Sequence, residues 1–222
     1  DTDPDAVLAY EFDGTNYTLV GTWSAPGDTY HVWSDGTFIY ASSTSGGINI
    51  LTFDGTTFTL VASVSAGGEW ANSSYGDGRY LYVQTTWGLF AYSFDGTTLT
   101  ELATHFASEG GVMPANFVSG DGQNIFLGHN GGLLQILRFD GISFSVQDSV
   151  VLPDDANWAV SDGSYIYASS TTGPLQVYGG FACYTSNQKP AAVALAADRY
   201  RGKISAGSSS ACAIKPDGSA WC

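Results

Sequence analysis

The 222 residues carry 21 acids against seven bases, a formal charge of −14, and 44% of the side chains are apolar. A chain of this length can bury a core of its own, and so acidic a body repels phosphate backbones, which sets nucleic acid aside as a partner. No apolar run approaches the ~20 residues of a membrane helix, so membrane insertion is not expected.

Nineteen of the acids lie within residues 1–188 with only two bases, Arg79 and Arg138, whereas the last 34 residues are weakly basic. The acidity suits solubility in a salty or extracellular setting, with a Ca²⁺-collecting surface as the alternative. The 28 glycines, 13 tyrosines and 12 phenylalanines, with abundant Thr and Ser, suit strands joined by tight turns. No window sustains a helical period. The longest helix-compatible stretch, Ala191 to Ala197, reads equally well as an apolar strand. The chain opens at Asp1 rather than Met, as a processed product or a part of a longer one does.

Two signatures alternate along the chain. Phe-Asp-Gly before a Thr-rich strand occurs at Phe12-Asp13-Gly14, Phe53-Asp54-Gly55, Phe94-Asp95-Gly96 and Phe139-Asp140-Gly141. Asp-Gly before an aromatic–aliphatic strand occurs at Asp35-Gly36, Asp77-Gly78, Asp121-Gly122 and Asp162-Gly163. The spacings are 41, 41 and 45 for the first and 42, 44 and 41 for the second, one period of about 42 held over four copies.

Each Asp-Gly reads as a hairpin turn, because Asp closes an Asx turn with its own carboxylate and Gly accepts positive φ. Two hairpins per period make four antiparallel strands, the pattern of a β-propeller blade. In the second copy the expected strands are Ala71–Tyr75, Tyr80–Gln84, Gly88–Phe94 and Thr98–Leu102. A solenoid, with shorter repeats and mostly parallel strands, fits less well. The predicted order is a half blade over 1–22, blades over 28–62, 70–104 and 112–149, a divergent blade over 155–198, and a half blade over 199–222. The fold class expected is therefore all-β, a single β-propeller domain.

Residues 5–180 resemble the LVIVD and YVTN-type propeller blades of bacterial, archaeal and phage surface proteins. The Asp-Gly-x-Tyr-Ile-Tyr and Tyr-x-Phe-Asp-Gly-Thr-x-Phe-Thr-Leu patterns carry that resemblance. It implies a fold more than a function. The Trp-Asp pair of WD40 blades is missing at matching positions, so the partner-binding logic of that family does not transfer. Residues 203–222, ending Lys215-Pro216-Asp217-Gly218-Ser219-Ala220-Trp221-Cys222, resemble the opening half of an RCC1-type repeat, also a propeller blade. The two terminal half blades would then complete one another in a five-bladed ring. A larger propeller, with further blades on a missing segment or another chain, is the alternative.

Cys212 and Cys222 stand symmetrically about the Pro216-Asp217-Gly218 turn, facing one another in a hairpin and within reach of a disulfide. RCC1-like repeats of bacterial extracellular proteins often carry such a pair. A zinc site would need further ligands, and none lies nearby. A disulfide implies an oxidising compartment or a virion surface. Cys183 is left as a buried thiol or an intermolecular bridge.

His31, His105 and His129 occupy non-equivalent positions, and no Ser-His-Asp or Cys-His arrangement follows from them, so no enzymatic activity and no catalytic residue is expected. The recurrent Asp residues are explained by turn geometry, and turns spread around a ring do not converge on a cation; no metal site and no cofactor are expected, with Ca²⁺ the reserve reading. The first strand of a blade lines the channel. Five residues before each Asp-Gly stand Tyr30, Asn72, Asn116 and Asn157; four before stand His31, Ser73, Phe117 and Trp158. Of these, Tyr30, His31, Asn72, Asn116, Asn157 and Trp158 suit a sugar or peptide at a channel mouth. The competing reading has the Asn side chains capping strands or bonding the neighbouring blade. Trp23 and Trp70 read either as stacking surface or as wedges between blades.

The expected function is a non-enzymatic extracellular or surface propeller that binds a protein or carbohydrate. A structural subunit of a phage appendage or cell-surface filament, self-assembling or contacting neighbouring subunits, is the alternative.

Overall fold

The computed structural model describes residues 5–66, 70–106 and 115–179, together with the backbone of strands at 204–207, 210–214 and 220–221. The chain divides into two compact units, Asp1–Gly179 and Gly180–Cys222.

The larger unit is all-β. It opens with the hairpin β1 (Ala6–Phe12) and β2 (Tyr17–Ser24). Three four-stranded antiparallel meanders follow. The first blade is β3 (Thr29–Ser34), β4 (Ile39–Ser43), β5 (Gly47–Phe53) and β6 (Phe58–Val64). The second is β7 (Ala71–Gly76), β8 (Leu81–Thr85), β9 (Gly88–Phe94) and β10 (Leu99–Phe106). The third is β11 (Ala115–Gly120), β12 (Ile125–His129), β13 (Leu133–Phe139) and β14 (Phe144–Val151). The fourth blade contributes β15 (Ala156–Ser161), β16 (Tyr165–Ser170) and β17 (Gln176–Gly179). The first strands β3, β7, β11 and β15 lie each against the next. This is a four-blade propeller-like arrangement, with strand limits within a few residues of those read from the repeat.

Each of the eight Asp-Gly pairs of the two signatures is a turn of the expected kind. The Oδ1 of Asp35 accepts the backbone N–H groups of Thr37 (2.8 Å) and Phe38 (2.7 Å) while Gly36 sits at φ +93°. The same two-bond cradle recurs at Asp13, Asp54, Asp77, Asp95, Asp121, Asp140 and Asp162. Because a meander turns alternately at its two ends, all eight Asp-Gly turns lie at one end of the blades.

The core forms layers between blades rather than one central mass. Tyr40, Ile48 and Ile50 of the first blade pack with Leu81, Val83, Phe90 and Tyr92 of the second. Tyr82, Leu89 and Ala91 of the second pack with Val118, Ile125, Leu127 and Leu137 of the third. Strands β8 and β12 are therefore buried on both faces, and each outer strand, such as β14, is largely exposed. Phe38 meets Phe94 edge to face at 5.0 Å, and Tyr80 meets Phe139 likewise at 5.0 Å, one blade further on. The aromatic residues of the two repeated signatures thus meet across blade boundaries.

In the smaller unit β18 (Ile204–Gly207) pairs with β19 (Ser210–Ile214), and β19 with β20 (Ala220–Trp221). Ala213 stands opposite Trp221, the register on which the expected Cys212–Cys222 pairing rests. The side chains of that pair, Cys183, the Ala191–Ala197 stretch, residues 180–198 of the expected divergent blade and the side chains of the 199–222 segment lie outside the described residues.

Candidate functional site at the axial end of the first strands

The six residues singled out on the first strands share one backbone feature. Each first strand slips register against its neighbour at the same place: between Thr29 and His31, Ala71 and Ser73, Ala115 and Phe117, Ala156 and Trp158. Tyr30, Asn72, Asn116 and Asn157 are the extra residues of four equivalent β-bulges. A bulge leaves its residue out of the ladder and re-aims the side chain. It occurs here at the end of the blade opposite the Asp-Gly turns.

The residues that follow each bulge converge on the axis. The His31 ring lies 5.5 Å from Trp158, and the Phe117 ring lies 5.4 Å from Trp158. Ser74 donates its backbone N–H to His31 Nδ1 (3.3 Å), and Val118 donates its N–H to Ser73 Oγ (2.7 Å). Residues of all four blades are thereby linked, and His31, Ser73 and Phe117 are buried. His31 is buried and Trp158 partly buried where the four first strands come close enough for side chains to touch. Burial holds the His31 imidazole down to about 4, as a neutral ring whose Nδ1 accepts.

Among the bulge residues, two amides serve the scaffold. Asn116 Nδ2 donates to the Ala156 carbonyl of the next blade (3.3 Å), and Asn157 Oδ1 accepts from Thr171 Oγ1 (3.3 Å). Asn72 is half-buried and Tyr30 is exposed. Trp23 wedges beside Val7, Ala41 and Leu51, whereas Trp70 is exposed.

One group escaped the sequence reading. Trp87, in the β8–β9 turn, is also exposed, and its turn is stapled by buried Thr85, whose Oγ1 accepts from Trp87 N–H (3.2 Å) and donates to the Gly88 carbonyl (3.3 Å). The signal was available: Trp87 interrupts a turn that is Thr44-Ser45-Gly46 in the first blade and Asn130-Gly131-Gly132 in the third.

At the other end, the turn carboxylates stay ionised because their own backbone N–H groups favour the charge, holding Asp13, Asp54, Asp95, Asp140 and Asp162 below the usual carboxylate value. Among the described residues no three His, Cys, Asp or Glu gather in a group that could hold a metal ion.

Repeated antiparallel blades whose first strands lie each against the next define a β-propeller. Solved structures agree: the computationally designed Ika4 protein matches with a TM-score of 0.57 at 7% identity, over 72% of this chain and 96% of that one. The computationally designed Ika8 protein matches with a TM-score of 0.58 at 8% identity, over 81% of this chain and 57% of that one. Likeness at such identities is a likeness of fold. No family model matches the sequence, so the finer blade resemblances gain no support there, and no curated protein matches it.

Proposed function

We propose that this chain is a non-enzymatic interaction module, working at an extracellular, cell-surface or virion location, with a protein or a carbohydrate as its partner. One observation carries the reading. The end of the propeller opposite the carboxylate turns presents Tyr30, Trp70 and Trp87 to solvent, and the fold has no need of exposed aromatic rings there. The inner polar residues are engaged in structure: His31 accepts from the backbone of the next blade, and His129 Nε2 pairs with Gln135 Oε1 at 2.8 Å. The test is immobilised protein offered to a glycan array and to candidate protein partners. Specific retention on either supports the module; retention on neither sinks it.

A structural-subunit reading is favoured by one specific observation. Tyr10 on β1 is 53% exposed, whereas its repeat equivalents Leu51, Tyr92 and Leu137 are 0%, 1% and 0% exposed. A strand with core sequence and a bare face is what an assembly contact covers. Size-exclusion chromatography with light scattering, with and without reductant, decides this; a stable monomer in both conditions removes the assembly reading.

A further inference from the structure

We propose that the rim of the second blade, at Trp70 and Trp87 with Asn72 and Tyr30 beside them, is a binding subsite for a neutral glycan. The proposal rests on the interaction-module reading and names its ligand class.

The repeat itself isolates the feature. Seven residues before the Asp-Gly of each first hairpin, the chain has Asp28, Trp70, Pro114 and Asp155. In the turn between second and third strands it has 44–46, 86–87, 130–132 and 171–175, of which only 86–87 contains an aromatic residue. Four blades fold on the same plan, so the plan does not require tryptophan at either place. Both indoles are nonetheless on blade two, and they are 53% and 61% exposed.

Their backbones lie at adjacent places on the blade. Ala71 pairs with Thr85 at the last rung of the β7–β8 ladder, which sets Trp70 just beyond that rung beside the Thr86–Trp87 turn. Ala71 and Thr85 are both fully buried, and the Thr85 hydroxyl holds the turn from both sides. Trp87 is therefore carried on a pre-shaped backbone, which lowers the ordering cost of binding. Two residues after Trp70 comes the bulged Asn72. The first strand of the preceding blade lies against β7, tied by the Ser74 N–H bond to His31, which brings Tyr30 to the same end.

Flat aromatic faces with one amide and one phenol suit a pyranose, whose C–H face packs on an indole while its hydroxyls need hydrogen-bonding partners. Two indoles span one or two sugar rings, far less than the roughly 800 Å² per partner of a stable protein interface. The formal charge of −14 opposes sulfated or other anionic glycans. A neutral oligosaccharide remains.

The experiment titrates the full chain with maltohexaose, cellohexaose and chitohexaose, following tryptophan fluorescence and heat of binding, for wild type, Trp70→Ala, Trp87→Ala, Asn72→Ala and the control Leu175→Ala. At least one probe is expected to bind, with a tenfold or greater loss in each Trp variant, a smaller loss for Asn72→Ala and none for Leu175→Ala. Unchanged urea midpoints show that the variants remain folded, and Trp87→Phe retains part of the affinity. Equal affinity in wild type and both Trp variants overturns the subsite but leaves the module reading standing. So does binding of none of the three probes by a chain that retains a protein or an anionic glycan. Retention of nothing at all removes both.

Discussion

The imidazole of His31, on the first strand of the first blade, lies 5.5 Å ring to ring from the indole of Trp158, on the first strand of the fourth. The two residues are far apart in sequence, and their contact joins blades that are not consecutive along the chain. It links the first strands of the first and fourth blades of the larger unit.

Acid should weaken this contact before it affects the turns. His31 is held down to about 4 from 6.5 by burial. A depressed folded value means the unfolded chain takes the proton first, so the contribution is complete above pH ~6.5 and is lost as pH falls toward ~4. The loss amounts to about 3 kcal/mol at 1.36 kcal/mol per unit. The turn carboxylates act in the same direction but below their ordinary value, at lower pH. Urea midpoints measured from pH 7.5 to 4 should fall steeply for the wild type. His31→Gln should flatten that part of the curve; an unchanged slope in the variant contradicts the assignment.

Two tyrosines should respond oppositely to loss of their hydroxyls. Tyr82 Oη donates to Asp77 Oδ2 at 2.6 Å, a latch repeated by Tyr40 with Asp35 and Tyr167 with Asp162. Tyr92 Oη is buried without a hydrogen-bond partner among the described residues. Tyr82→Phe is expected to cost about 1 kcal/mol, while Tyr92→Phe should be neutral or stabilising by up to about 1 kcal/mol. Thermal and urea denaturation of the pair at pH 7 checks the contrast.

Blade boundaries should show direct aromatic coupling. A double-mutant cycle on Phe38 and Phe94, truncating each to Leu, is expected to give an interaction of about 1 kcal/mol. The cycle on Tyr80 and Phe139 should give a similar value, since the geometry repeats. Additivity within about 0.3 kcal/mol in both cycles would rule out the boundary contact as a stabilising pair.

A single methyl group should disturb the axis. A Cβ on Gly128 would run into the Phe117 ring, which is buried and in contact with Trp158. Gly128→Ala is expected to cost about 2 kcal/mol and to alter the tryptophan emission of Trp158, as overpacking of a tight core does. Leaving Gly128 intact and changing Trp158 to Phe separates the spectral effect from the steric one.

Much of the blade was legible in the residues themselves. Asp-Gly encodes a turn locally, through a carboxylate that reaches its own backbone and a residue that tolerates φ near +90°, and eight such turns at a steady period count out the strands. The bulges were not legible. Asn72, Asn116 and Asn157 share an amide at one position and Tyr30 does not, but a recurring side chain does not announce a bulge, which depends on how two strands twist past one another. The bond of Asn116 to Ala156 is of the kind that the neighbouring-blade reading of the Asn residues anticipated. The contact of Phe117 with Trp158 was hidden, because it lies about forty residues away, in the next blade.

The amino-acid sequence by itself determined the period, the turns, the four-strand blade and the excess of acids, because each arises from residues within a few positions of one another. Only the tertiary structure decided that His31 and Trp158 meet, and that Trp70 and Trp87 stand exposed at rim positions where the other blades carry no aromatic residue. Those outcomes depend on the angle between successive blades, which is set by side-chain packing across every boundary and written in no single repeat.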